Sequence, residues 1–232
     1  SAAQRDQLLE AGVPLKDAPV IYEGVDLTNY LAQADRRTYA TNGSLSLVFV
    51  GILAEHKGVH TILEALSQLS AEEKNRIRLT ILGKGHQHYE ARLHSLVSQH
   101  RLSDMVEFQK PIPRAELPEF LGKFDALLLP SVWAEPLARI MQEGLACGMA
   151  VVGSANGGTA ETIVHGENGL LFQPGDASDL ARQVRSLLEE PSLLRKLAEG
   201  GRQTAEERFD IHQMVANLEA YLMKVIENNR AH

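Results

Sequence analysis

The stretch Ala126-Leu127-Leu128-Leu129-Pro130-Ser131-Val132-Trp133-Ala134-Glu135-Pro136, followed by residues 137–149 and then Ala150-Val151-Val152, decides the fold. Four apolar residues stopped by a proline read as a short strand buried on both faces. Residues 136–147, from Pro136 to Cys147, read as a helix. Pro136 fits its first position, where a missing N–H costs nothing. A second apolar strand follows at once. Strand, helix, strand in this order implies a parallel sheet covered by helices.

The same alternation extends outward. Leu47-Val48-Phe49-Val50 ends at Gly51, and Ile62, Leu63, Leu66 and Leu69 follow at helical spacing. Ile77, Leu79, Ile81 and Leu82 form another strand. Residues 87–99 read as a helix, 106–108 as a brief strand and 115–121 as a short helix. In the tail, Asp176 can cap a helix carrying Leu180, Val184, Leu187 and Leu188. Another helix follows Pro191. Asp210 can cap a last one with an apolar stripe of Ile211, Val215, Leu218, Leu222 and Val225. The fold class is α/β, a doubly wound Rossmann-like parallel sheet. Thr41-Asn42-Gly43-Ser44 is a turn cluster ahead of the first strand. Residues 1–40, with a short polar helical stretch, are too little to fold alone. The chain is expected to be one piece of a longer protein, cut near a domain boundary.

Composition removes several classes of function. The 232 residues carry 23 Lys and Arg against 30 Asp and Glu, a net charge of −7. This speaks against a general basic nucleic-acid surface. No apolar run reaches the roughly 18–20 residues of a membrane span. One cysteine, Cys147, allows no internal disulfide and no multi-cysteine zinc site, and a reducing compartment fits. Cys147 lies among small and apolar neighbours and reads as a packed core residue. Neither a Walker-type phosphate loop nor a nucleophile elbow is present. The histidines show no metal-ligand spacing. Gly83-Lys84-Gly85 opens like a dinucleotide fingerprint, but the third glycine would fall at His88, so a tight turn is the simpler reading.

A doubly wound sheet binds ligands beyond the carboxyl ends of its strands. The loops there hold the candidates. A helix starting near Pro136 would aim unpaired N–H groups at this crevice and suit a phosphate. Glu135 and Glu143 would be separated by about 12 Å along such a helix, too far to share one reacting bond. They could grip the two ends of an elongated ligand; alternatively, Glu135 merely favours the helix dipole and Glu143 is solvated. Lys57, beside Gly58, could neutralise phosphate oxygens or be a solvated loop lysine. Gly157-Gly158 allow close backbone approach to a ligand, or form only a turn.

Taken in order, several stretches resemble the group 1 (family 4) glycosyltransferases. These are Val50-Gly51-Ile52-Leu53-Ala54-Glu55-His56-Lys57-Gly58, Leu82-Gly83-Lys84-Gly85, Leu128-Leu129-Pro130-Ser131, Glu135-x7-Glu143, Ala146-Cys147-Gly148, Gly157-Gly158-Thr159-Ala160-Glu161 and Gly166-Glu167-Asn168-Gly169-Leu170-Leu171. The resemblance covers about Val20 to Val225. It implies the GT-B architecture, with two facing Rossmann-like domains, of which this chain is the carboxy-terminal, donor-binding one. Residues 1–40 would then be the interdomain segment and edge of the missing amino-terminal domain, 41–209 the nucleotide-sugar-binding domain, and 210–232 a helix crossing back.

The implied activity is transfer of a hexosyl group from a nucleoside-diphosphate sugar to a hydroxyl acceptor, with retention of configuration and without metal or cofactor. By the same resemblance Glu135 and Lys57 would be catalytic. Glu135 would meet the sugar hydroxyls and Glu143 the ribose. Lys57, with backbone around Leu137, Ala138 and Arg139, would hold the diphosphate. Gly51 would lie against the donor, and the backbone from Lys110 to Ile112 would meet the base. The family has an arginine or serine at Ile52, and Phe-Gly-Leu at Leu137-Ala138-Arg139. Weaker or altered donor binding is therefore expected, with Arg139 either a replacement cation or turned to solvent. The fragment alone is expected to be inactive, its carbohydrate or lipid-linked acceptor bound through the missing domain. The expected location is the cytoplasm, the inner face of a membrane being left open for the full-length protein, as is the oligomeric state. A catalytically inactive nucleotide-binding module and a related GT-B epimerase or phosphorylase are the alternatives.

Overall fold

The central apolar runs pair in parallel because they are too apolar to leave either face in water, and the more polar Val106-Glu107-Phe108-Gln109 takes an edge of the sheet. A computed structural model describes residues 1–15, 19–39 and 44–230. Its strands are β1 (Leu45–Val50), β2 (Ile77–Leu82), β3 (Val106–Gln109), β4 (Ala126–Leu129), β5 (Ala150–Ser154) and β6 (Leu170–Phe172), in the order β3-β2-β1-β4-β5-β6. Every strand pairing is parallel. This is the doubly wound Rossmann order.

Alternate residues feed two cores. Leu47, Phe49, Leu128 and Val152 point to one face; Val48, Leu127, Leu129 and Val151 point to the other. The helices are α1 (Ala2–Glu10), α2 (Thr28–Ala34), α3 (Val59–Ser67), α4 (Ala71–Asn75), α5 (Gln87–Gln99), α6 (Leu117–Leu121), α7 (Arg139–Ala146), α8 (Gly157–Thr162), α9 (Ala177–Glu189), α10 (Pro191–Arg208) and α11 (Ile211–Arg230). Residues of α3, α5 and α9 fill the first core, and those of α6 and α7 the second. Burying each large aliphatic side chain contributes about 1.5–3 kcal/mol.

Several expectations shift. The helix expected from Pro136 begins at Arg139, and Ala138 is its extended N-cap residue. The cause lies in the Glu135 carbonyl. In a helix starting at Pro136 it would accept from the Arg139 N–H, but it accepts from the Gly158 N–H at 2.7 Å. The helix expected over 115–121 divides into a 3-10 turn, Arg114–Glu116, and α6. Strand β6 and helices α2 and α4 have no counterpart in the periodicity reading, because three to seven residues are too few to show a period. Ser70 caps α4 through a reciprocal box with Glu73, a signal the sequence did carry. Residues 41–43 of the turn cluster lie outside the described residues.

The amino-terminal segment is tied to the tail. Val25 bridges Asp210, its N–H donating to the Phe209 carbonyl at 2.8 Å. The Asp210 carboxylate caps α11 through the His212 N–H at 2.7 Å. Helix α1 lies against α8, where the Glu161 carboxylate accepts from the Ala2 N–H at 2.9 Å and the Tyr22 hydroxyl at 3.1 Å. Among the described residues no helix is long and apolar enough to cross a membrane.

Candidate functional site

Strands β1 and β4 are neighbours at the point where the strand order reverses, so their carboxyl ends open the binding crevice. The loop after β1 turns through a 3-10 segment, Glu55–Lys57, and ends at Gly58 with φ +68°. A Cβ there would overlap the Pro130 carbonyl oxygen, so only glycine lets the loop after β1 lie on the loop after β4. The Val132 N–H donates to the His56 carbonyl at 2.9 Å and fixes the two loops together.

That contact brings two expected residues into one cluster. The half-buried Lys57 ammonium forms an ion pair with Glu135 Oε1. The same oxygen accepts from the Ser131 hydroxyl at 2.8 Å and from the Trp133 indole N–H at 3.4 Å. Burial alone would raise the Glu135 pKa. The Lys57 ammonium and the Ser131 hydroxyl outweigh it and hold the carboxyl below its ordinary range. Gly158 backs this loop. A Cβ on it would overlap the Pro136 carbonyl, so the close approach that Gly158 allows is to the chain's own Glu135 loop.

Glu143 forms a second cluster. It is 1% exposed on α7, which overturns the reading of it as a solvated residue. Its Oε1 is paired with Arg114 and lies 3.5 Å from Arg139 Nε. Burial is the largest influence and raises its pKa, against the pull of Arg114 and the hydrogen bond from Tyr30. Arg139 is engaged on both sides, with Glu23 at 3.3 Å as well as Glu143. Glu135 precedes α7 instead of starting it, so a helical rise no longer measures its separation from Glu143. The two carboxylates occupy separate charge clusters.

The remaining expected residues surround a third feature. Gly51, Ile52 and Ile112 line a cavity of about 320 Å³ with Leu82, Arg114 and Leu117. Lys110 stands apart from it, on a neighbouring groove with Lys84 and Phe108. Leu137 and Ala138 are partly buried ahead of α7; Ala138 offers no side-chain cap to that helix, and of its first-turn N–H groups that of Met141 donates to the Ala138 carbonyl at 2.9 Å. Cys147 is fully buried, its thiol pushed up to about 12 by burial. Sequence reasoning missed Arg114, two residues past the inspected loop, and gave no role to Trp133 or Tyr30.

Comparison with known proteins identifies the family and the fold. The family described as glycosyl transferases group 1 matches residues 33–204. The glycogen synthase of Mycobacterium tuberculosis is 32% identical over 211 residues, covering 90% of this chain and 49% of that protein. The spore coat protein SA of Bacillus subtilis is 27% identical over 226 residues, covering 90% of this chain and 58% of that one. The chain thus spans about half the length of the curated relatives it matches. The crystal structure of Anabaena HepE in complex with UDP-glucose superposes with a TM-score of 0.83 at 25% identity, covering 97% of this chain and 62% of that one. The chain belongs to the group 1 glycosyltransferases and has the fold of one GT-B half.

Proposed function

We propose that this chain is the donor-binding half of a retaining glycosyltransferase, which moves a hexosyl group from a nucleoside-diphosphate sugar to a hydroxyl acceptor held by the rest of a longer protein. The observation that carries the reading is the Lys57–Glu135 pair at the switch point of the sheet, beside the uncapped start of α7. The bond to be broken joins the anomeric carbon to the diphosphate. Negative charge then grows on the leaving group and positive charge on the sugar ring. A fixed ammonium and helix N–H groups stabilise the first. Glu135, held ionised by its donors, can accept from sugar hydroxyls. In this reading the ribose lies toward Glu143, and the base enters the apolar cavity between Ile52 and Ile112. No metal or resident cofactor is part of it, because the chain's own cations and dipoles face the diphosphate. The UDP-glucose bound by Anabaena HepE makes uridine donors the first to try.

Calorimetric titration with UDP-glucose, GDP-mannose and ADP-glucose tests the proposal. One donor class is expected to bind. Lys57→Ala should weaken it by about 10- to 100-fold, the loss of a hydrogen bond to a charged group. No heat from any of the three would overturn the reading.

A further inference from the structure

Outside the first 13 residues and α11, the exposed large apolar side chains of the described residues are Ile52, Val132, Trp133 and Val164. The first three stand on the loops after β1 and β4, at the rim of the crevice. Ile52 lines the 320 Å³ cavity, whereas Trp133 is outside it, beside Glu135. Half of the Trp133 surface is open to solvent. The exposed indole makes two side-chain contacts. Its N–H points at Glu135 Oε1, and its ring stands edge-on to the His56 imidazole at 5.7 Å and 79°. His56 is itself tied to this loop through the Val132 N–H.

We propose that Trp133 is a carbohydrate-positioning residue, an aromatic platform for the apolar C–H face of the ring whose hydroxyls Glu135 receives. The inference rests on the donor reading above and extends it to a residue that the reading does not use. The geometry supports it in two ways. A hydroxyl donating to Glu135 comes to within about 2.8 Å of that carboxylate. The indole nitrogen is 3.4 Å from the same group, so a pyranose held there comes to lie beside the indole. The chemistry also matches. The indole face is electron-rich, and the axial C–H bonds of a pyranose present weakly positive hydrogens to it. A flat base has the cavity at Ile52 and Ile112 instead, and a diphosphate has no apolar face to offer. The platform therefore reads the sugar and ignores the nucleotide.

Trp133 is the chain's one tryptophan, so its emission reports this position alone. The experiment pairs calorimetry with tryptophan-selective fluorescence, using UDP-glucose, GDP-mannose and ADP-glucose beside UDP, GDP and ADP. The bound sugar donor is expected to shift or quench the emission, and the matching diphosphate, equally bound, to leave it in place. Trp133→Ala should weaken the sugar donor roughly 3- to 10-fold, the scale of an aromatic contact, without changing diphosphate affinity. Trp133→Phe, which keeps a ring but loses the N–H, should stay within about twofold of the parent chain. Binding of donor and diphosphate with no difference in emission, or an equal loss of both affinities in Trp133→Ala, would overturn the platform and leave the donor reading intact. Absence of heat from all six compounds would overturn both.

Discussion

Two glutamates of the same helix–loop unit carry opposite perturbations, and their neighbours explain why. Glu135 keeps a lowered pKa because its donors outweigh its burial. Glu143 is almost fully enclosed, and burial outweighs Arg114 and Tyr30, so its carboxyl holds a proton more tightly than in the unfolded chain. The sign of the linkage follows. Between the unfolded value of 4.5 and the higher folded one, the folded state binds more protons, and stability falls as pH rises through that window. Glu143→Gln cannot ionise and should lose this dependence. Thermal melts of the two chains from pH 4.5 upward should therefore diverge in favour of Gln as pH increases. A divergence in favour of Glu would mean that Arg114 dominates. Glu135 acts in the other direction, its contribution being present above 4.5 and lost as pH falls through its lowered value. The types and order of these residues are legible in the sequence. Their partners are not, because Arg114 lies 29 residues before Glu143 and Lys57 lies 78 before Glu135.

At the scale of elements, the loop after β4 and the start of α7 are shaped by α8. Gly158 meets Pro136 backbone to backbone, and its N–H takes the carbonyl that would have started the helix earlier. Gly158→Ala should push these backbones apart and destabilise the chain by about 2 kcal/mol or more, lowering the urea midpoint. Donor affinity should fall with it, since Glu135 rides on the displaced loop. A chain with unchanged midpoint would show that the loop can relax. The last helix has a different character. Val215, Leu218, Leu222 and Ile226 of α11 are each more than a third exposed, at a spacing that places them on one stripe. Such a stripe favours self-association of this chain. Light scattering at rising concentration should show growth of the mean mass, and Leu222→Glu should suppress it. A clean monomer throughout would refute the expectation.

For the whole molecule, the parallel sheet with two covered faces both builds the core and places the crevice. Leu128 is fully buried in the central strand β4, and Leu128→Ala should cost about 2–5 kcal/mol, read as a loss of cooperative unfolding stability. The same substitution lies at the strand that delivers the Glu135 loop, so donor affinity should decline only as the folded fraction does. The sequence by itself determined five of the six strands, most helices and the doubly wound class, because apolar runs and helical periods are local records of burial on two faces or one. It also marked Lys57, Glu135 and Glu143 as the residues to watch. Only the tertiary structure decided which of them meet. Parallel pairing sets β1 against β4 across many intervening residues, and no local pattern encodes that neighbourhood. It also decided that α7 starts at Arg139, since a hydrogen bond from Gly158, distant in the chain, satisfied the carbonyl that local helix geometry would have used.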